Sequence, residues 1–588
     1  MWWWKVFNEN VYKATTHTVE KKHAVFEKEG LKKLENICVE KRKKGLENAE
    51  QLWKKAEKNF KENGIEVFFA ENGDTVKKII AEKIGKHKLI VKGKSLTTEE
   101  IGLRQFLEQQ GHQVVETDLG EWIIQQRNEL PSHFTAPAVH LNAKQVAELV
   151  KKKFGEKLPP EPGKLTEFIR IHLREKFLKA EAGIIGANFV IAEPSTIMCV
   201  SNEGNVSLSA RLPKLLFVVT GYDRIYDNEK NIENLQKLLT SSATGQYYTS
   251  YIDFIRKPLP HQKIILIVLD NGRKKLLESK YKEAARCIRC ASCLNICPVY
   301  KEIGGHRFGK VYHGGIGSLL THFTGNTKDA SKIADFCLRC GSCEPECPMH
   351  IPISKLVAIL SENYPQPAYL NLPLKTLPTA KTRAKPNKPN LIFIGCAFRT
   401  PFMRKIKQKI KAFAEKLDAD ILENGCCGMP HFYKGKIEES KAKTEALGEI
   451  FKNYREIYLP CSSGFSFLRE KFGEKIKLMS VKISEIGEAK NNNPVLYHQP
   501  CHLKYLSDFN EKEKLAIKLN IKEWQHWDKC CGSAGTFWIS HPLVSKKILS
   551  RKKEEGEGYT VITSCPSCYF QLKRIFGNKV KHTLEMFN

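Results

Sequence analysis

Residues 286–300 read RCIRCASCLNICPVY, and residues 336–350 read FCLRCGSCEPECPMH. Each stretch has the spacing Cys-x2-Cys-x2-Cys-x3-Cys-Pro, and the residues between them are typical of helices. Three thiolates on a tight turn hold one corner of a cubane, and a distant thiolate completes it. A pair of zinc sites is the alternative, because each run supplies the four ligands that zinc takes. The spacing with its following proline favours two [4Fe–4S] clusters in a helical module.

The fourth cysteine of each run is expected to bind the other cluster, as this bacterial two-cluster spacing implies. Cluster one is therefore assigned to Cys287, Cys290, Cys293 and Cys347. Cluster two is assigned to Cys337, Cys340, Cys343 and Cys297.

The sequence on either side of the two runs indicates an α/β multidomain protein. In the residues that precede the two cysteine runs, short apolar stretches alternate with helical stretches. This alternation predicts a mostly parallel sheet covered on both faces. After the second cysteine run, six prolines mark a linker, and two similar α/β units follow the linker. The predicted segments are an N-terminal helical segment (1–63), an α/β domain (64–285), the two-cluster ferredoxin module (286–361), the proline-rich linker (362–390), copy one of a duplicated domain (391–490) and copy two (491–588).

The duplicated domain carries a second cysteine pattern, in which a vicinal Cys-Cys-Gly lies between single cysteines. Copy one has Cys396, Cys426, Cys427 and Cys461. Copy two has Cys501, Cys530, Cys531, Cys565 and Cys568. Copy one lacks the last thiol, because Gly464 occupies the position that Cys568 has in copy two. Vicinal thiolates can bind adjacent irons, whereas a disulfide between them would be strained.

With YHQPCHL (497–503) and DKCCGSAGTF (528–537), the duplicated domain resembles the cysteine-rich CCG domain of heterodisulfide reductase and of glycerol-3-phosphate and glycolate oxidase subunits. The resemblance implies that the five thiols of copy two bind a non-cubane [4Fe–4S] cluster. In copy one it implies zinc or a cluster on the remaining four thiols. A merely structural role for those four thiols is the alternative.

The first 360 residues are similar to the B-type iron–sulfur proteins of bacterial lactate utilisation. VKGKSLTTEEIGL (91–103), ETDLGEWIIQ (116–125) and GIIGANFVIAEPSTIMCVSNEG (183–204) carry this resemblance, together with the first cysteine run. It implies a LUD domain followed by a two-cluster ferredoxin, working with a CCG-domain partner in the oxidation of L-lactate to pyruvate. This chain resembles the two proteins fused into one polypeptide.

Catalytic candidates in the LUD region are turn residues next to predicted strand ends, where α/β sheets bind ligands. Lys94 suits an anionic substrate, and Glu193 is the second candidate; Glu99 and Asn271 occupy similar turns. Capping and surface pairing are the alternative roles. Residues 192–196 read Ala-Glu-Pro-Ser-Thr where the family commonly has Ala-Glu-Thr-Gly-Thr, so this loop is expected to bind differently here.

The composition narrows the function classes. The chain has nineteen cysteines, of which only Cys38 and Cys199 precede residue 287. Clustered cysteines in a reducing cytosol indicate metal or redox chemistry. The protein is expected to be cytoplasmic, at most with peripheral attachment to the inner membrane face. The net charge of +30 is interspersed, so no nucleic-acid partner is expected. Redox proteins are the expected partners: another lactate-utilisation subunit, a flavin subunit, and an electron acceptor or quinone pathway.

The sequence therefore predicts an iron–sulfur oxidoreductase component that passes electrons from L-lactate, or a related 2-hydroxy acid, through its clusters. No flavin motif is visible, so a separate flavin or partner subunit is one way to split the electron pair. The first alternative is a thiol/disulfide redox subunit like heterodisulfide reductase. The second is a basic, non-catalytic binding protein whose clusters are structural.

Overall fold

The computed structural model describes residues 2–364, 376–381, 386–490, 492–507, 509–524, 529–553 and 558–588, with side chains from Glu9 onward. The chain divides into two compact units. The first comprises Met1–Ile333 with Glu346–Pro352, and the second comprises Ala334–Pro345 with Ile353–Asn588. Much of the predicted linker, 365–375 and 382–385, lies outside the described residues.

A parallel sheet of six strands is the centre of the first unit, in the order β1-β10-β7-β4-β2-β3. These strands are β1 (Ile65–Ala70), β2 (Leu89–Lys92), β3 (Gln113–Glu116), β4 (Ala182–Ile185), β7 (Leu215–Gly221) and β10 (Lys263–Leu269). The central strands β7 and β10 are almost continuously apolar because both faces of the sheet are covered. The helix Ala49–Glu62 packs on one face, and Gly73–Ile84 with Leu103–Gln109 packs on the other.

A second sheet of this unit has the order β8-β5-β6-β9. Its strands are β5 (Phe189–Glu193), β6 (Thr196–Ser201), β8 (Ile225–Asn228) and β9 (Tyr251–Ile255). The sequence pattern placed FVIAEPSTIMCV in the parallel rhythm, but β5 and β6 pair antiparallel. Only Pro194 and Ser195 join them, which leaves no length for the crossover that a parallel pair needs.

The remaining helices of the first unit are Trp2–Lys28, Glu35–Glu47, Leu96–Glu100, Leu119–Arg127, Ala143–Phe154, Pro162–Lys179, Asn205–Arg211, Ile232–Thr244 and Arg273–Glu278. The two-cluster region contains the helices Ser292–Ile296, Pro298–Ile303, Gly314–Phe323, Thr327–Phe336 and Ile353–Leu360. The structure describes every residue from 287 to 361 and assigns no strand there, as the prediction of a helical ferredoxin module requires.

The duplicated domain forms two four-stranded parallel sheets of identical order in the second unit. In copy one the order is β12-β11-β13-β14, and in copy two it is β16-β15-β17-β18. The copy-one strands are β11 (Asn390–Phe393), β12 (Ala419–Leu422), β13 (Ile457–Leu459) and β14 (Ile476–Leu478). The copy-two strands are β15 (Val495–Tyr497), β16 (Ile521–Lys522), β17 (Thr560–Thr563) and β18 (Val580–His582).

The helices of the second unit follow the same plan in both copies. Copy one has Arg404–Lys416, Met429–Phe432, Ile437–Phe451, Ser462–Phe472 and Met479–Ile486. Copy two has Cys501–Tyr505, Glu511–Ala516, Phe537–Ser540, Pro542–Ser550 and Pro566–Phe576. The predicted duplication of an α/β unit is therefore confirmed in the described residues.

Candidate iron–sulfur centres and an adjacent cavity

The four thiols assigned to cluster one lie together in the first unit. Cys293 interacts with Cys287, Cys290 and Cys347, and none of these thiols forms a disulfide. Burial and the neighbouring thiol of Cys347 raise the pKa of Cys290 to about 12. Such thiols keep their protons unless a metal ion compensates the thiolate charge, so this donor set fits an iron–sulfur cluster.

The two cysteine loops share one backbone conformation. Arg289 and Arg339 both have a positive φ, and the next left-handed residues are Ala291 and Gly341. The guanidinium of Arg289 donates to the Cys287 carbonyl at 2.9 Å, and Arg339 repeats this bond within its own loop at 3.0 Å. The Arg289 amide also donates to the Cys287 sulfur at 3.4 Å. These turns direct the thiols of each loop inward, and N–H···S bonds of this kind tune a cluster's potential.

The long N-terminal helix contributes Lys22 to the surroundings of cluster one. Its Nζ donates to Ser292 Oγ at 2.8 Å and forms an ion pair with Glu346 at 2.6 Å. Lys22 is nearly buried and acts on the pKa values of Cys290 and Cys347. A buried cation beside four thiolates offsets part of their charge, a contribution that sequence periodicity could not reveal.

The thiols assigned to cluster two are divided between the units. Cys337, Cys340 and Cys343 belong to the second unit, whereas Cys297 belongs to the first. Their assignment to one cluster therefore stays a prediction from spacing.

Within the second unit, the loop of cluster two packs against copy two. The Cys340 thiol hydrogen-bonds Cys530, and Cys501 also interacts with Cys340. Gly341 has a φ of 81°, which favours glycine, and a Cβ there would lie 2.5 Å from the end of the Leu506 side chain. The contact places a predicted ferredoxin ligand beside a predicted copy-two ligand.

The single cysteines of both copies follow the carboxyl ends of adjacent parallel strands. Cys396 and Cys461 follow β11 and β13, and Cys501 and Cys565 follow β15 and β17. The strand order reverses between these neighbours, which is where open α/β sheets bind their ligands. The topology therefore brings cysteines that are far apart in sequence to one edge of each sheet.

In copy two the thiols lie close together, and all but the half-buried Cys501 are buried. Cys531 and Cys568 are 3.3 Å apart. Hydrogen bonds from Cys568, Ser463 and the amides of its own helix lower the pKa of Cys565 to about 6 despite its burial. His498 was missed by the cysteine pattern, yet its ring lies within 4.8 Å of Cys531 and Cys568. Its position just before Cys501, in the stretch used for the resemblance, was the available signal.

Copy one also gathers its four thiols. Cys426 hydrogen-bonds Cys396 and Cys427, and Cys461 lies within electrostatic range. His431, three residues beyond the Cys-Cys-Gly turn, lies beside Cys426 and is buried. Sequence reasoning missed this histidine because it considered thiols alone. Ser463 Oγ of copy one lies 3.4 Å from the Cys565 sulfur, so the two copies present their cysteine sites to each other.

A cavity of about 310 Å³ lies in the LUD region at the carboxyl ends of β2 and β4. Ile288 and Arg289, between two predicted ligands of cluster one, form part of its wall. The charged residues that line it are Lys94, Asp118, Glu203, Arg224, Arg273 and Arg289. The cavity and the loop of cluster one therefore share a wall.

Four arginines beside the cavity, here called the cationic wall, converge on Asp223. Its carboxylate is buried and contacts four arginines: Arg42, Arg224, Arg273 and Arg289. Although burial opposes ionisation, these guanidinium groups hold the pKa of Asp223 well below its usual range. The site consequently keeps an excess of positive charge beside the cavity, which suits an anionic ligand.

Of the sequence candidates, Lys94 lines the cavity and Glu193 does not. Lys94 Nζ has no hydrogen-bond partner among the described residues and lies 3.9 Å from Glu121. Glu193 is exposed and pairs with Lys55. Glu99 accepts a hydrogen bond from buried Lys92 at 2.7 Å.

Asn271 also lies outside the cavity lining and donates to Glu100 at 2.5 Å. The other five charged lining residues were missed: Asp118, Glu203, Arg224, Arg273 and Arg289. Burial, with the nearby Asp118, raises the pKa of Glu203 to about 7.

Comparison with protein families agrees with this geometry. The LUD domain model matches residues 53–275, the 4Fe-4S dicluster domain model matches 283–351, and the cysteine-rich CCG domain model matches 391–469 and again 495–573. The chain carries a LUD domain, a 4Fe-4S dicluster domain and two CCG domains. No helix among the described residues has the length and apolarity to cross a membrane.

The chain is similar to curated bacterial proteins over half its length. It is 39% identical over 296 residues to Lactate utilization protein B of Bacillus cytotoxicus and 38% identical to that of Bacillus thuringiensis. Each match covers 49% of this chain and 62% of the relative. A DUF162 family structure from Deinococcus radiodurans matches 38% of this chain and 98% of that chain, at 12% identity. Its TM-score of 0.20 is too low to carry an argument.

Proposed function

We propose that this protein is an iron–sulfur electron-transfer subunit in the oxidation of L-lactate, or a related 2-hydroxy acid, to the 2-oxo acid. The observation that carries the proposal is the shared wall, in which Ile288 and Arg289 belong both to the cavity and to the loop of cluster one. The relatives named Lactate utilization protein B suggest which acid it is.

The cavity has the groups that this chemistry needs. Lys94, Arg224 and Arg273 can bind a carboxylate, and Glu203 can accept a proton near neutral pH. Oxidation of the alcohol carbon releases two electrons and two protons. Each [4Fe–4S] cluster supplies a one-electron acceptor, so two clusters, or a flavin on a partner subunit, take up the pair.

In the second unit, the contact of Cys340 with Cys530 supports transfer from cluster two onward to a non-cubane cluster in copy two. The proposed cofactors are thus two [4Fe–4S] clusters in the ferredoxin module and one in copy two. The proposed partners are another lactate-utilisation subunit and a soluble or membrane-attached electron acceptor.

The test is lactate-dependent cluster reduction in anaerobically purified protein, alone and with its partner subunits. We expect Lys94→Gln to slow this reduction about 10–100-fold, the equivalent of one lost hydrogen bond to a charged group. Reduction by dithionite stays at the wild-type level. Lys55→Gln, which changes an exposed lysine outside the cavity, is the matched control. Wild-type lactate kinetics in Lys94→Gln would rule out this cavity as the substrate site.

A thiol/disulfide function is a second candidate, because Ser463 and Cys565 bring the two cysteine sites together. A facing pair of sites is suited to holding the two sulfur atoms of a disulfide. Reduction of a low-molecular-weight disulfide by the dithionite-reduced protein, with no oxidation of lactate, would favour this function.

A further inference from the structure

The two copies differ at two positions in and near their cysteine patterns. Where copy two ends its pattern with Cys568, copy one has Gly464. Three residues beyond the Cys-Cys-Gly turn, copy one has His431 whereas copy two has Gly535. Copy one therefore lacks the last thiol of the pattern and has an imidazole at a position where copy two has no side chain.

The imidazole of His431 lies in the copy-one site. The residue is 1% exposed, and its ring lies within hydrogen-bonding reach of the Cys426 sulfur. Its Nδ1 is buried and has no oxygen or nitrogen partner in the described part of the chain. Its Nε2 lies 3.6 Å from a carboxylate oxygen of Glu439. Metal-binding histidines commonly direct their second nitrogen at a carboxylate in this way.

The number of donors favours a cluster over a single zinc ion. A structural zinc takes four ligands. Copy one gathers four thiols and one imidazole, which is one donor more than zinc uses.

We propose that copy one also binds an iron–sulfur cluster, with His431 Nδ1 as its fifth ligand. The other four ligands are the thiolates of Cys396, Cys426, Cys427 and Cys461. A neutral imidazole in place of a thiolate makes the site one charge less negative, and histidine ligation of this kind raises a cluster's reduction potential. The copy-one cluster therefore has the higher potential of the two copies and is reduced first.

The test combines iron and zinc content with pulsed EPR of the full-length protein purified without oxygen. Wild-type protein shows a nitrogen hyperfine coupling, and His431→Ala loses one cluster's iron, about four atoms. His431→Cys keeps the iron, loses the nitrogen coupling and has a lower midpoint potential. His261→Ala, at an exposed histidine of the first unit, keeps the wild-type iron content and nitrogen coupling.

A double variant separates loss of a ligand from loss of the fold. A Cβ at Gly464 meets Leu459 at 3.4 Å and the Cys427 sulfur at 3.9 Å, so a cysteine fits there. His431→Ala/Gly464→Cys has the cysteine pattern of copy two and regains the iron. Zinc in place of iron, the absence of nitrogen coupling in the wild type, or a full iron content in His431→Ala would each overturn the proposal.

Discussion

The two Cys-x2-Cys-x2-Cys loops have the same backbone but different neighbours. In the first, Arg289 lines the cavity and lies 5.4 Å over the ring of Tyr312. In the second, Arg339 is buried and donates to Ser361 Oγ at 2.6 Å, while Cys340 contacts Cys530 of copy two. One loop therefore borders a cavity for a small anion, and the other borders a second cysteine site.

This difference shows that a ligation motif specifies the cofactor but not its place in an electron-transfer chain. The repeated arginine fixes each loop, because both guanidinium groups donate to the carbonyl of the first cysteine. The residues that surround each loop suggest the direction of electron transfer. Under the proposed function, the loop of cluster one is the electron entry and the loop of cluster two is the exit.

The largest effect is expected at the contact between cluster two and copy two. Cys340→Ser removes a predicted cluster ligand and the sulfur beside Cys530, so lactate should no longer reduce the copy-two cluster, a loss of more than about 100-fold. Cluster one should still become reduced. EPR after addition of lactate measures both signals. Cys38→Ser, at a buried cysteine outside the cysteine patterns, is the control; a normal copy-two signal in Cys340→Ser would refute the exit assignment.

The second-largest effect is expected on the free energy of unfolding, when an aspartate near each loop is replaced. Asp223→Asn removes the carboxylate shared by four arginines, of which Arg273 still pairs with Glu100 at 2.9 Å, and should cost about 3–5 kcal/mol of unfolding free energy. Asp335, near the second loop, is partly exposed and pairs with His541 at 2.8 Å. Asp335→Asn should therefore cost less than about 1 kcal/mol. Chemical unfolding measures both, and equal costs would contradict the asymmetry.

The pH dependence of this stability follows from the lowered pKa of Asp223. Its contribution is fully present above the unfolded-state pKa of about 3.9 and is lost as the pH falls from there toward the folded-state value. Wild-type protein should therefore lose stability below about pH 4 more steeply than Asp223→Asn.

The smallest effect on the rate of cluster reduction is expected at Glu203, which lines the cavity beside cluster one. As a proton acceptor with a pKa of about 7, it should make lactate-driven reduction of cluster one faster as the pH rises through that value. Transfer from cluster two to copy two should not follow this profile. Stopped-flow reduction of wild type and Glu203→Gln between about pH 6 and 8 tests it. A Glu203→Gln profile identical to the wild type would exclude this role.

Much of the architecture could be predicted from the sequence. Continuous apolar runs such as β10 identify a sheet covered on both faces, and the Cys-Cys-Gly pattern identifies the duplication. The pairing of β5 with β6 was not predicted, because an apolar run does not encode its strand direction. Lys94 was found from its turn next to a strand, whereas Glu193 in a similar turn faces solvent.

The cationic wall could not be predicted, because it depends on tertiary contacts. Arg42, Arg224 and Arg289 are far apart in sequence and converge on Asp223 in the folded chain. His431 and His498 were missed for a related reason, since a thiol pattern gives no sign that an imidazole folds against it.

Electrons are proposed to enter the protein at the cavity beside cluster one. Rapid freeze-quench EPR after mixing the anaerobic protein and its partner subunits with L-lactate tests this claim most directly. The cluster-one signal should appear first, the copy-two signal should follow, and Lys94→Gln should delay both equally. A copy-two signal that precedes cluster one, or that keeps its wild-type rate in Lys94→Gln, would contradict it.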